Sequence, residues 1–71
     1  MSGLDDALLA AHAADDRAGL VTLYTQAADQ ANAVEATSFY LTHAYVFALE
    51  AGMSQASALK TRLVAMGRET E

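Results

Sequence analysis

Between Glu35 and Glu50 the chain runs through fourteen uncharged residues, Ala36 to Leu49, which include four of its five aromatic side chains: Phe39, Tyr40, Tyr45 and Phe47. A helix that crosses a bilayer needs about twenty such residues, and this run is interrupted by His43. It is too short to span a membrane and too apolar to face water on every side. The expected outcome is a helix covered by other helices, and the remainder of the chain has to supply them.

Seventy-one residues allow one domain, spanning residues 1–71, near the size at which a single core only marginally offsets the conformational entropy lost on folding. With no Cys in the sequence, neither a disulfide nor a thiolate metal site can reinforce so small a core. Close helix packing and association are the routes left. Hydrophobic residues make up 54% of the chain, much of that is Ala, and Pro is absent, which predicts an all-α fold. The opening MSGLDDALLA carries Asp5 and Asp6 where a signal peptide would have Lys or Arg, and so a cytoplasmic protein is expected. Its net charge of −5 opposes binding to nucleic acid or to an anionic membrane.

Local signals divide the chain into four helices, at about 4–14, 17–31, 33–51 and 55–68. Ser2 with Asp5 forms a weak capping pair for the first, and Asp16 is placed to cap the second; a single bent helix from Leu4 to Ala31 is the alternative. Asn32 with Glu35 has the spacing of a capping box for the third. Gly52 suits a left-handed residue after its last turn, with Ser54 as the next cap.

The apolar spacing gives each helix a facing. Leu20, Leu23, Tyr24, Ala27 and Ala31 form one stripe on the second helix, and Ala56, Leu59, Leu63 and Met66 form one on the fourth. The third carries three rows: Val34, Ser38, Leu41, Tyr45 and Ala48; Ala36, Tyr40, Ala44, Phe47 and Ala51; and Phe39 with Val46. It is therefore expected at the centre of the domain, between other helices.

Sliding the chain on itself by 36 residues sets Leu20 on Ala56, Leu23 on Leu59 and Ala27 on Leu63, a period typical of helix-turn-helix repeats. The stretch Asp16 to Ala27 resembles the second helix of a tetratricopeptide repeat, and Leu41-Thr42-His43-Ala44-Tyr45 is similar to the first helix of the next repeat. Thr42 stands where that family prefers Gly, and no Pro closes the first repeat. The resemblance implies four short antiparallel helices arranged as two tetratricopeptide-like hairpins.

No motif for catalysis stands out. His43 and Glu50 are seven residues apart, two turns along one helix and too far for one metal ion. Asp5-Asp6 and Asp15-Asp16 lie at helix starts, where carboxylates favour the positive end of the dipole. The chain is expected to be no enzyme and to need no cofactor. The aromatic rows are read instead as an interface, either Tyr40 with Phe47 or Phe39 with Val46, binding a protein partner or a second copy in a homodimer. The alternative function is an acidic regulator, antitoxin-like or anti-activator, that blocks a basic site on its partner.

Overall fold

The structure is a computed structural model that describes residues 3–67. Four helices account for 82% of them: α1 (Gly3–Ala13), α2 (Arg17–Gln30), α3 (Val34–Glu50) and α4 (Gln55–Ala65). There is no strand among the described residues, and no helix is long and apolar enough to cross a membrane.

The first break is made by two adjacent aspartates with different tasks. Asp15 takes φ 54°, a left-handed conformation that Asp tolerates better than most residues. That reversal lets the Asp15 N–H donate to the His12 carbonyl at 3.1 Å and the Asp16 N–H donate to Ala11 at 2.9 Å, closing α1. Asp16 then caps α2: its Oδ1 accepts the Gly19 N–H at 3.0 Å. The helices are separate, and the bent-helix alternative does not apply. Gly19 is the fitting residue there, because a Cβ would run into the Asp16 carboxylate that forms the cap.

The same terminating geometry recurs at the end of α3. Gly52 sits at φ 66°, the Gly52 N–H donates to Leu49 at 3.1 Å, and the Met53 N–H donates to Ala48 at 2.9 Å. The two caps expected after these breaks differ from their sequence signals. Helix α3 starts at Val34 with Ala33 as its extended N-cap and no side-chain cap bond, so Asn32 is one residue out of frame for a capping box with Glu35. The Ala33 carbonyl accepts the first helical bond, from the Thr37 N–H at 2.9 Å, and also the Thr37 hydroxyl at 3.1 Å. Ser54 has helical φ and ψ and makes no side-chain cap bond. The expected ends at Ser2 and Arg68 lie outside the described residues.

Packing follows chain order: α1 lies on α2, α2 on α3, and α3 on α4, while no other pair of helices brings described backbone close together. The Cα trace measures 33 × 29 × 12 Å, so the helices lie in a thin layer. One cluster of buried residues joins Val21 and Ala28 of α2, Leu41, Ala44 and Ala48 of α3, and Leu59 and Leu63 of α4. Ala11, Leu20 and Ala27 are buried outside that cluster. Helix α2 is therefore apolar on two sides, one more than its single predicted stripe, because it has a neighbour on each flank. Helix α3 is central, as its apolar rows require. It is not covered over most of its circumference, however, since Val34, Phe39, Val46 and Leu49 remain exposed.

Two substitutions test the breaks. Gly52→Val is expected to lower stability by about 1–2 kcal/mol, from backbone strain alone, since a Cβ there meets nothing within 4 Å. Asp16→Ala is expected to cost about 1 kcal/mol through loss of the cap. Urea unfolding followed by circular dichroism reads both; an unchanged midpoint in either variant contradicts the corresponding assignment.

Candidate functional site: an aromatic and aliphatic face on α3

Small residues decide where the large ones go. On the side of α3 that its neighbours cover, the buried positions are Ser38, Leu41, Ala44 and Ala48. Ala and Ser let helix backbones approach closely, which leaves the bulky rings of Phe39, Tyr40 and Phe47 to flank the contact. These rings fall on two different arcs, and the structure separates the two rows that sequence spacing could not rank.

Tyr40 and Phe47 are half-buried and pack against the core cluster. They meet Tyr24 of α2, whose ring stacks on Phe47 at 5.9 Å and lies 6.2 Å from Tyr40. Tyr24 also stacks on His43 at 5.1 Å. From α1, His12 sets its ring edge-on to both Tyr24 and Phe47, each at 5.8 Å, and its Nε2 lies 2.9 Å from the Tyr24 hydroxyl. The cluster thus ties together α1 and α3, two helices that have no close backbone contact. Neither His12 nor Tyr24 was identifiable as part of a site from spacing, because the two are brought together by the turn at Asp15.

Phe39 and Val46 lie on the outer arc and are 56% and 44% exposed. Phe39 is nevertheless held in place, with its ring 4.3 Å from His43 and 5.5 Å edge-on to Tyr40. His43 is fixed in turn by a 2.9 Å bond between its Nδ1 and the Phe39 carbonyl. A carbonyl can only accept, so Nδ1 carries the proton. Leu49, 55% exposed, continues the same outer row. Between these side chains Thr42, His43, Val46 and Phe47 line a shallow hollow of about 220 Å³.

Arginine–carboxylate pairs link the helices. Arg17 Nε donates to Glu50 at 3.0 Å and its guanidinium lies 3.4 Å from Asp15, so Glu50 first and Asp15 second hold the Arg17 pKa above its ordinary value. Arg62 binds Asp29 at 2.8 Å across α4 and α2. Among the described residues, no three His, Asp or Glu side chains converge as a metal site requires. The carboxylates of Asp15, Asp29 and Glu50 are each engaged by an arginine, and the ring cluster presents stacking surface and polarised edges. What the arrangement offers chemically is an exposed apolar row beside a cluster of packed rings.

No family model, curated protein or solved structure matches this chain.

The two aromatic rows are expected to respond differently to truncation. Tyr24→Ala removes the ring that links α1, α2 and α3 and should lower stability by about 2 kcal/mol or more, whereas Phe39→Ala should change it by less than about 1 kcal/mol. Unfolding measured at high dilution, where chains are separate, distinguishes them. Equal losses would mean that Phe39 is a core residue.

Proposed function

We propose that this protein is a small, non-catalytic interaction module that binds a protein, whether a partner or a second copy of itself, through the outer face of α3. The observation that carries this reading is Phe39: a large ring, more than half exposed, yet locked against His43 and Tyr40 rather than free to fold away. Preorganised apolar side chains lower the entropy lost on binding. With Val46 and Leu49 they make a contiguous row of the sort that marks binding surfaces on small proteins.

The architecture supports the reading. A pair of tetratricopeptide-like hairpins with antiparallel helices has open ends and open faces, and such units need a neighbour to cover them. The ion pair from Arg17, at the start of α2, to Glu50, at the end of α3, favours that antiparallel arrangement. The Arg–carboxylate pairs, in contrast, weaken the reading of an acidic decoy for a basic site, since they occupy part of the negative surface.

Association is measured by sedimentation equilibrium over a hundredfold dilution, with a dimer or partner complex expected at micromolar concentration. Phe39→Asp or Val46→Asp should abolish it, while Asp5→Asn leaves it intact. Tyr40 and Phe47 suit this test less well, because a charge there would also disturb the core. Raising salt should change the apolar association little. Steep weakening by salt, with no effect of Phe39→Asp, would replace this reading with the acidic one.

A further inference from the structure

Glu35, Phe39, Thr42, Val46 and Leu49 follow one another at steps of four, three, four and three residues, and all five are exposed. Alternating three- and four-residue steps define the seam of a coiled coil. We infer that the occupant of this seam is α3 of a second copy, packed antiparallel about a twofold axis that passes near the hollow between Thr42 and Val46; this rests on the interaction-module reading above.

Three features of the surface select that arrangement. In the antiparallel register Phe39 meets Leu49 of the second copy and Thr42 meets its Val46, so that the exposed side chains of the row cover one another and the contact closes on itself. The hollow lined by Thr42, His43, Val46 and Phe47 falls at the axis, where each copy offers a recess to the apolar side chains of the other. Charge points the same way by what it avoids. A parallel pair would set Glu35 beside Glu35 and Glu50 beside Glu50. The antiparallel pair separates those like pairs and turns each Glu35 toward a Glu50 whose charge Arg17 already offsets. Opposed helix dipoles add to the preference. A seam of this length on one helix belongs to the small, weak class of interface, consistent with a dimer that dissociates on dilution.

Because the chain has no native Cys, single substitutions read the arrangement directly. Thr42→Cys and Val46→Cys chains, each checked for unchanged helicity, are mixed in equal amounts at a concentration where wild-type sedimentation shows dimer, and then oxidised. Antiparallel packing brings the two unlike positions level across the seam, whereas like positions are offset by about 6 Å along the helix axis, beyond the reach of a disulfide at ordinary helix spacing. The mixed disulfide is therefore expected to predominate well beyond its statistical share. Predominance of like-with-like disulfides would overturn the antiparallel register, and absence of any cross-link in a sample that sediments as a dimer would overturn the seam. A wild type that stays monomeric throughout would remove self-association itself, which the sedimentation result reports independently of the cross-linking.

Discussion

The structure depends on close approach of helix backbones to α3 at Ser38, Ala44 and Ala48, with Leu41 filling the space between. Ala loses no side-chain entropy on burial, and it admits a neighbouring helix to short range. Had these positions held larger residues, the flanking helices would stand further away and the aromatic side chains could close over the gap. With small residues at the contact, Tyr40 and Phe47 are pushed to its margin, where Tyr24 and His12 meet them, and Phe39 and Val46 are left on the outer arc. The exposed row is a consequence of how the core is filled.

The thin arrangement of the helices follows from the same cause. Among the described residues, backbones approach closely only between helices that are neighbours in the chain, so α3 has α2 and α4 on its flanks, the His12 ring of α1 against Phe47, and no described helix over its outer row. A helix with three apolar rows and two neighbours necessarily keeps one row in water. Ion pairs brace this open arrangement without closing it: Arg62 reaches from α4 to Asp29 of α2, past the helix between them. All the groups in these pairs are substantially exposed, so they orient the helices more than they stabilise them.

Much of the fold was legible in the sequence wherever the signal is local. Asp16 and Gly52 mark real boundaries because a cap bond and a left-handed φ each depend on a few adjacent residues. Asn32 misses the cap position by one residue, because several nearby residues can begin a helix and α3 starts at Val34, whereas Ser54 takes the N-cap position of α4 without its hydroxyl forming a cap bond. The second buried side of α2, with Val21 and Ala28, escaped the periodicity reading because small and β-branched residues give a faint stripe. Sequence spacing placed Phe39 with Val46 and Tyr40 with Phe47 on separate rows. Choosing the exposed one required Tyr24 and His12, which reach the α3 rings only through tertiary contact.

The central claim is that the outer row of α3 is a self-association face, and concentration-dependent NMR of the intact protein tests it most directly. Methyl and aromatic signals are followed from about ten micromolar to about one millimolar, a range that brackets weak association. The account predicts shifts that titrate with concentration at Phe39, Thr42, Val46 and Leu49, while Leu20, Leu41 and Leu63 in the interior stay fixed. Spectra that do not change with concentration, or changes centred away from α3, would contradict it.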